Sequence, residues 1–374
     1  MSTPPVPPSF RDPAALRELA ADLARLSPGR PLTFMHVCGT HENAIARFGL
    51  RALLPPWLRV IAGPGCPVCV CPPGEIDRAV RLALVARATV ATFGDMLPVP
   101  GRASLAQARA QGADVRVVLG VAEAVELARA EPDREVVMFA VGFETTACTV
   151  AAALLAGPPP NFSVLSAHRL IPPALDALLR IEGLAIDGFL LPGHVLTVTG
   201  TADYEAFVAR SGRPAAAAGF EPLDILLGLR DLARAACAGE ARLANAYRRA
   251  VRGDGNPRAR EAMARAFTPA DAAWRGLGTI PASGLAVAGP LREFDAAARF
   301  RLAPAAGAGP AGTAGSADDD APGCQCGRVM VGLLDPVDCP LFATGCTPDD
   351  PRGPCMVSQE GTCRSRYLYR EAGG

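Results

Sequence analysis

The sequence of 374 residues has no surplus of charge of either sign, because 37 basic residues are matched by 37 acidic ones. A protein that binds nucleic acid or an anionic membrane surface needs a basic patch or stripe, and we expect neither partner. No run of about 18 apolar residues occurs, so a membrane-spanning helix is not expected. The proline-rich first ten residues lack the apolar core of a secretory signal, which favours a cytoplasmic protein.

Three motifs of nucleotide-binding and radical enzymes are also missing. The sequence has no P-loop, no Rossmann glycine fingerprint and no C-x3-C-x2-C spacing of radical-SAM proteins. We therefore do not predict an ATPase or an NAD-dependent enzyme. The sequence does contain twelve cysteines. Without a secretory signal, these are expected to be metal ligands or redox groups rather than a disulfide framework.

Short apolar runs alternate with amphipathic segments from residue 31 to about 220. This alternation predicts parallel sheets with helices on both faces. We predict an α/β fold in which two small Rossmann-like parallel-sheet domains, 31–120 and 121–212, flank a cleft, with a return strand near 213–220 joining the first. The predicted strands are Leu32–Val37, Leu58–Ala62, Ala88–Phe93, Val115–Leu119, Val136–Val141, Phe162–Leu165, Gly188–Leu191 and Ala215–Ala218. The predicted helices between them are Glu75–Arg87, Val121–Ala130 and Pro173–Ile181.

The two ends of the chain are predicted to come together. A helix over 13–27, within an N-terminal segment 1–30, has leucines on one face and is expected to pack on a mainly helical C-terminal domain, 221–374. Residues 302–323 are of low complexity and are expected to form a flexible insertion. The cysteine-rich tail lacks periodicity, so a bound metal cluster would explain how it holds a shape. The helices predicted in the C-terminal domain are Pro222–Ala238, Ala241–Val251 and Arg258–Phe267.

Unusual residues follow five of the predicted strands. In open α/β sheets the ligand crevice lies outside the carboxyl ends of the strands, so these five loops are expected to converge on a cleft. Three of the four histidines lie in them, although each histidine alone could be an ordinary structural group. The loops are Cys38-Gly39-Thr40-His41-Glu42, Gly63–Cys69, Gly142–Thr146, Ser166–Arg169 and Pro192–Val195, and the histidines are His41, His168 and His194.

Cys38 follows a strand and is predicted to start a helix, where backbone N–H groups and the helix dipole favour a thiolate. His41 and Glu42 lie about one helical turn further on. That spacing permits acid–base roles, or support of a ligand, beside the sulfur. The alternative is a buried structural cysteine followed by a capping threonine.

The C-x-x-C motif of Cys66 and Cys69 also follows a strand. In a cytosolic protein it indicates a dithiol/disulfide pair, while half of a metal site or an inert pair are the alternatives. Cys71 adds a third thiol whose role the spacing does not assign. Glu144 is a candidate catalytic carboxylate, and a first-turn capping role fits its position equally well.

The C-terminal tail contains six cysteines. Four of them, spaced C-x14-C-x6-C-x16-C, are Cys324, Cys339, Cys346 and Cys363. Isolated thiolates scattered over an irregular segment suit a [4Fe-4S] cluster. A structural zinc site more usually recruits paired C-x-x-C knuckles, which the tail lacks, although zinc stays the alternative. The two remaining cysteines, Cys326 and Cys355, could form a disulfide beside the cluster.

A series of motifs resembles the HypD family, the scaffold factors of [NiFe]-hydrogenase maturation. They run from Phe34 to Cys363, nearly the whole chain, in the family's order. They are "FMHVCGTHE", "GPGCPVC", "VGFETTA", "NFSVLSAHR", "PGHV", "AGFEPLDIL", "WRGLGTIPASGL", "FDA" and "CMVSQEGTC". The resemblance implies two similar α/β domains flanking a cleft, and a third domain with a [4Fe-4S] cluster.

The resemblance also implies a function. HypD proteins carry an Fe(CN)2CO fragment together with the small chaperone HypC, with cyanide supplied by HypE, before transfer to the hydrogenase large subunit. Cys38 would then be the iron-binding thiolate, and Cys66 with Cys69 the redox pair in the cleft. The layout is similar to ferredoxin:thioredoxin reductase, where a cluster passes electrons to a disulfide. The implied cluster ligands are Cys324, Cys339, Cys346 and Cys363, with Cys326 and Cys355 as a nearby thiol pair; the further site candidates are His41, Glu42, Glu144 and His194.

The sequence departs from the family pattern at three places. Cys71 stands where the family usually has threonine, Leu191 where it often has cysteine, and the insertion 302–323 is unusual. The alternative functions are a stand-alone cluster-dependent disulfide reductase and a zinc-stabilised binding protein. Cys38 with His41 favours the scaffold, because a reductase does not need a third, separately placed thiolate.

Overall fold

A computed structural model describes residues 10–305 and 321–370 of the chain. Two parallel β-sheets organise this part, and their strands are numbered here in chain order. The first sheet has the order β2-β1-β7-β8-β9 and the second the order β4-β3-β5-β6. The strands of the first are β1 Leu32–His36, β2 Leu58–Ala62, β7 Gly188–Pro192, β8 Ala215–Ala218 and β9 Leu243–Asn245; those of the second are β3 Thr89–Thr92, β4 Val115–Val117, β5 Val136–Gly142 and β6 Phe162–His168.

All neighbouring strands in both sheets are parallel. Strands of this kind are buried on both faces, which is why they read as continuous apolar runs. In β5 all seven residues are buried. The prediction of an α/β fold with parallel sheets is therefore confirmed, and each of the eight predicted strands is present.

The two sheets do not correspond to the two predicted ranges, 31–120 and 121–212, because each sheet contains strands from both ranges. Strand β3 pairs with β5, and β4 pairs with β3, so both belong to the second sheet. Strand β7 pairs with β1 and belongs to the first. The chain thus leaves the first sheet after β2, builds the whole second sheet, and then returns. The predicted return strand near 213–220 is β8, which pairs with β7.

Helices cover both faces of the sheets. The long helix over Pro222–Ala238 packs on β7 and β8, and the first helix, Pro13–Ala24, packs on it. The N-terminal helix therefore contacts a helix that covers the first sheet. The α-helices in the described ranges are α1 Pro13–Ala24, α2 Gly39–Arg47, α3 Pro67–Val70, α4 Pro73–Leu84, α5 Leu105–Ala110, α6 Val121–Ala130, α7 Glu144–Leu155, α8 Ile171–Leu178, α9 Gly193–Thr199, α10 Ala202–Ser211, α11 Pro222–Ala238, α12 Pro257–Ala266, α13 Ala296–Arg299, α14 Cys326–Met330, α15 Pro354–Val357 and α16 Thr362–Leu368. Short 3-10 helices cover Leu50–Leu53, Gly94–Met96, Gly289–Phe294 and Pro336–Asp338.

Two predictions for the region after residue 221 are wrong. The segment predicted as a helix over Ala241–Val251 contains β9, which extends the first sheet next to β8. An antiparallel hairpin of β10, Phe267–Trp274, and β11, Gly278–Val287, also lies in the region predicted to be mainly helical. The hairpin packs against β6 and α8. Most of the predicted flexible insertion 302–323 lies outside the described residues.

The cysteine-rich tail lies against the first sheet's helices. Helix α16 packs on α2, and α15 packs on α3. Buried side chains of the tail, such as Met330, join a core that also contains residues of both sheets, among them Met35 of β1 and Phe139 of β5. Within the described parts of the chain, no helix combines the length and apolar character that crossing a membrane would require.

Candidate cysteine site

Cys38 lies two residues after the end of β1 and takes the N-cap position of α2. The order of the first sheet reverses between β1 and β7, which is the point where ligands bind in open α/β folds. The loop after β2 touches the same place, because the Gly39 N–H donates a hydrogen bond to the Gly65 carbonyl oxygen over 2.9 Å. A Cβ atom at Gly65 would overlap the backbone of Cys38. The motif glycine is therefore required for this close approach.

A small cavity lies where the two loops and the tail meet. It is lined by Cys38 and by both cysteines of the C-x-x-C motif, Cys66 and Cys69. From the tail, Cys355 and Glu360 complete the wall. Three segments that are far apart in sequence thus place four cysteines around one space.

The surroundings of Cys38 favour its thiol form, whereas its place at a helix start predicted a thiolate. Burial, with Glu360 nearby, raises the pKa of Cys38 to about 12. The backbone N–H groups of Thr40 and His41 and the Thr40 hydroxyl oppose this rise in the pKa. Because only 2% of Cys38 is exposed, desolvation outweighs them. A bound metal ion would displace the proton.

His41 points away from this cavity. Its Nε2 lies 2.9 Å from the Gly219 carbonyl oxygen, and its ring packs on Phe220 at 5.0 Å. His194 packs on the same phenylalanine, also at 5.0 Å. Burial lowers the pKa of His41 to about 3 and that of His194 to about 4, so both rings are neutral near pH 7. The two histidines thus form an aromatic cluster beside the Cys38 loop.

Glu42 is fully buried and makes an ion pair. Its Oε2 lies 2.6 Å from the Arg51 guanidinium and 2.7 Å from His36 Nε2. Burial alone would raise the pKa of Glu42, but Arg51 and His36 lower it to about 2. Glu42 therefore stays ionised and fixes His36, whose side chain lines the Cys38 cavity.

Cys66 and Cys69 are joined as a disulfide, with their Cα atoms 5.2 Å apart. Cys66 is the N-cap of the short helix α3, which Pro67 opens and which contains Cys69, and the Cys69 N–H donates to Cys66 Sγ over 3.1 Å. Both cysteines are almost completely buried. The neighbouring Cys71 is a buried thiol, and burial raises its pKa to about 12. Cys71 is a free thiol and takes no part in the disulfide.

The six cysteines of the tail surround one cavity. The Arg352 N–H donates to Cys346 Sγ over 3.3 Å. Gly353 is packed so closely against Cys324 Sγ that a Cβ atom there would overlap it. Cys326 contacts both Cys324 and Cys355, and Cys355 also contacts Cys363. The cysteines that line the cavity are Cys324, Cys326, Cys339, Cys346, Cys355 and Cys363.

The donor set of this tail cavity fits a [4Fe-4S] cluster, which is bound by four cysteine thiolates. In residues 10–305 and 321–370, no group of three or more histidine, cysteine or acidic side chains is close enough to hold one metal ion. The sulfurs instead lie around the wall of the cavity. Cys326 and Cys355, considered above as a disulfide, are free thiols in contact with each other.

Cys355 lines both cavities, that of the tail and that of Cys38. Cys69 Sγ lies 3.8 Å from the carbonyl oxygen of Pro354, the residue that precedes Cys355. Cys355 is thus the tail cysteine that lies next to the C-x-x-C disulfide.

The expected convergence of five loops on one cleft holds only in part. Glu144 lines a separate cavity, where its Oε1 accepts the Ile171 N–H over 3.0 Å. His168 is buried against Phe267 of β10, and its Nδ1 lies 3.0 Å from Ser166 Oγ. Neither side chain lines the Cys38 cavity.

Two residues of the Cys38 cavity were not singled out from the sequence. His36 lies at the end of β1, two residues before Cys38. Glu360 accepts a hydrogen bond from the Thr40 hydroxyl over 2.8 Å. Both occur within the motifs "FMHVCGTHE" and "CMVSQEGTC", but a motif does not say which side chains face the same space.

Comparison with known proteins places this arrangement in a family. A family model named HypD, described as the hydrogenase formation hypA family, matches residues 14–370. Hydrogenase maturation factor HypD2 of Bradyrhizobium diazoefficiens is 43% identical over 377 residues, covering 96% of this chain and 95% of the relative. Hydrogenase maturation factor HypD of Rhizobium leguminosarum is 42% identical over 374 residues, with 96% and 94% covered. That of Escherichia coli is 43% identical over 361 residues, with 95% and 94% covered. The chain therefore belongs to the HypD family of hydrogenase maturation factors.

Proposed function

We propose that this HypD protein is a scaffold that assembles and carries an Fe(CN)2CO fragment for a [NiFe] hydrogenase. The observation that carries the proposal is the cavity in which Cys38, Cys66, Cys69 and Cys355 meet. An iron scaffold needs a thiol that can bind the fragment and a redox group beside it. The Cys38 thiol and the Cys66–Cys69 pair line one cavity, at the switch point of the first sheet.

Cys38 is the proposed ligand of the iron fragment, which is the cargo of the protein. Iron that carries CO and cyanide suits a soft thiolate donor. The high pKa of Cys38 means that binding must release a proton. Once the proton is lost, the N–H groups at the start of α2 favour the charge on sulfur. His36, fixed by Glu42, and Glu360 are the polar groups that line the same cavity.

A [4Fe-4S] cluster is the proposed resident cofactor of the tail. Cys324, Cys339, Cys346 and Cys363 would hold it, and when bound it supplies one-electron transfer. The Arg352 N–H donates to Cys346 and stabilises negative charge on that sulfur. Helices α16 and α15 pack against α2 and α3, so the tail lies directly beside the Cys38 site.

Cys66 and Cys69 are the proposed redox dithiol. Their reduction consumes two electrons and two protons, breaks the S–S bond and forms two thiols. Cys355 lines the cavity of this pair as well as that of the tail, and within the tail it contacts Cys326 and Cys363. The electrons would come from an external one-electron donor. The buried position of the disulfide favours reduction from inside the protein over attack by a dissolved thiol.

The proposed partners are a small HypC-like chaperone, a HypE-like cyanide donor and, indirectly, the hydrogenase large subunit. The support is family membership, since several relatives carry the name hydrogenase maturation factor. We place the scaffold in the cytoplasm because ten of its twelve cysteines are free thiols, which persist in a reducing compartment.

Infrared spectroscopy tests the proposal directly. The chain is co-expressed and purified without oxygen together with its HypC-like partner. Cyanide and CO stretching bands are expected, because these ligands absorb where protein does not. A disulfide reductase is the second candidate, favoured by the Cys66–Cys69 disulfide beside Cys355. A protein that reduces disulfides but never carries the infrared bands would establish the reductase and overturn the scaffold.

A further inference from the structure

The Cys38 cavity is too small for the cargo proposed above. Its volume is about 10 Å³, which is room for about one water molecule. Only 2% of Cys38 is exposed, so the sulfur is not reached from the surface either. An iron atom with three diatomic ligands is several times larger than a water molecule. Part of the cavity wall must therefore move before an iron fragment can reach Cys38.

One part of this wall is a turn, residues 358–361, which joins α15 to α16. Glu360 lines the cavity and the preceding Gln359 is exposed, so the turn separates the cavity from solvent. The turn is closed by its own hydrogen bonds. The Gly361 N–H donates to the Ser358 carbonyl oxygen over 2.9 Å, and the Glu360 N–H donates to Ser358 Oγ over 3.2 Å. These internal contacts allow the turn to move as one unit.

Asp95 fixes the turn to the second sheet. This aspartate lies in the 3-10 helix after β3, and its Oδ2 accepts two hydrogen bonds, from the Ser358 hydroxyl over 3.0 Å and from the Gln359 N–H over 3.2 Å. Asp95 is half-buried and Gln359 is exposed, so this link lies near the surface, where water can replace it. The link can therefore break and re-form without unfolding of either sheet.

The other side of the turn is held by helix α2 of the first sheet. The Thr40 hydroxyl donates to Glu360 Oε1 over 2.8 Å, and Asn43 Nδ2 donates to the Gln359 carbonyl oxygen over 3.4 Å. A Cβ atom at Gly39 would overlap Glu360, so the turn lies directly on the start of α2. The turn is thus tied to both sheets at once, and all of these ties are made by single polar side chains.

We propose that the turn 358–361 is a lid over Cys38, latched by Asp95, that must open before a ligand can reach the sulfur. The identity of that ligand, the iron fragment, rests on the function proposed above, whereas the lid is a property of the free protein. Both ends of the lid run into helices that carry tail cysteines, α15 with Cys355 and α16 with Cys363. A closed lid keeps the thiol from dissolved oxidants and metal ions until the cargo is delivered.

Alkylation of Cys38 in the anaerobically purified full chain tests the lid without any iron fragment. The protein is treated with iodoacetamide at pH 8, and mass spectrometry follows the label on the Cys38 peptide with time. Labelling requires the open lid, so its rate follows the open fraction. Asp95→Ala removes the acceptor of both hydrogen bonds and should raise the labelling rate at least about tenfold. Asp95→Asn keeps an oxygen that can accept and should label more slowly than Asp95→Ala.

The matched control is Asp77→Ala. Asp77 is also a half-buried aspartate that accepts a backbone N–H, that of Arg102, over 2.8 Å, but it does not line the Cys38 cavity. This variant should label Cys38 at the wild-type rate. If Asp95→Ala fails to fold, Ser358→Ala removes one donor to the same carboxylate and should raise the labelling rate severalfold.

Hydrogen exchange gives a second measurement that does not depend on the thiol. In Asp95→Ala the amides of Gln359 and Glu360 should lose protection, whereas the amides of β1 should keep it. The lid is overturned if Asp95→Ala labels no faster than the wild type or Asp95→Asn, or if β1 loses protection together with the turn. A protein whose lid opens as expected but which never carries the cyanide and CO bands would overturn the proposed function and leave the lid established.

Discussion

Cys69 Sγ lies 3.8 Å from the carbonyl oxygen of Pro354, which is the residue before Cys355. These groups are 285 residues apart in the chain. The contact brings the C-x-x-C loop of the first sheet against the cysteine-rich tail. Changes to one cysteine group should therefore affect the other, and the predictions below separate their roles.

The tail cysteines are tested by their chromophore. Replacing Cys339 or Cys346 by serine removes one of four proposed thiolate ligands, so the brown colour and the bound iron of anaerobically purified protein should be lost. The thermal unfolding midpoint should also fall, because ligand binding contributes to folding of the tail. Cys237→Ser, at an exposed position of α11, is the matched control and should keep both. Retention of about four irons per chain in both ligand variants would show that the assignment is wrong.

The C-x-x-C pair is tested by alkylation in denaturant after the protein has been held under oxidising or reducing conditions. Reduction should add two labels, at Cys66 and Cys69, and mass spectrometry of the peptides locates them. Cys71 serves as an internal control, because it is a free thiol and should be labelled equally in both samples. Full labelling of both cysteines in the oxidised, folded protein would remove the proposed redox role.

Eight of the nine strands of the two parallel sheets were predictable because most are short apolar runs that are largely buried, as β5 is along its whole length. Strand β9 was missed because its three residues lie in a segment, "ARLANAYRRAV", whose apolar residues also fit a helix. Strand β10 was missed because alanine, a strong helix former, supplies three of its eight residues. In both cases tertiary pairing overrides a local preference.

The partition of strands between the sheets could not be predicted from local pattern. Strand β7 pairs with β1 only because the chain returns after building the second sheet, and nothing in its apolar sequence specifies that neighbour.

Local pattern also does not predict which side chains meet in the Cys38 site. The spacing of Cys38 and His41 placed them one helical turn apart, yet the fold directs the histidine to Gly219 and leaves His36 in the Cys38 cavity.

The buried ion pair of Glu42 predicts an acid-dependent stability. The pKa of Glu42 is about 2 in the folded chain against an ordinary value of 4.5. The folded state therefore binds this proton less readily than the unfolded state, so the stabilisation is complete above about pH 4.5 and is lost as the pH falls toward 2. The difference in pKa corresponds to roughly 3 kcal/mol.

Glu42→Gln should lower the unfolding free energy by about that amount at neutral pH, and the loss should shrink as the pH falls toward 2. Thermal unfolding midpoints of the wild-type and variant proteins, measured across this range, give the difference. Glu182→Gln, an exposed change, should unfold with the wild type at every pH. A constant gap between Glu42→Gln and wild type at all pH values would assign the effect to packing rather than to charge.

Cys38 gives the most specific test of the scaffold. Its thiol is 2% exposed, and burial raises its pKa to about 12, so in the free protein it should react very slowly with iodoacetamide near pH 8. Cys38→Ala removes a single sulfur from the wall of a small cavity and leaves the α2 backbone and the tail cysteines in place. Folding and the brown chromophore should therefore survive.

The cyanide and CO infrared bands, in contrast, should vanish in Cys38→Ala together with hydrogenase maturation, because the proposed iron ligand is gone. Cys71→Ala is the matched control: it removes a thiol of equal burial from the neighbouring loop and should keep the bands. The reverse outcome is that Cys38→Ala keeps the bands at full intensity and Cys71→Ala loses them. That result would assign the iron ligand to the loop after β2. Since that loop touches Cys38 through Gly65, the two sites are close in space, and only the pair of variants distinguishes them.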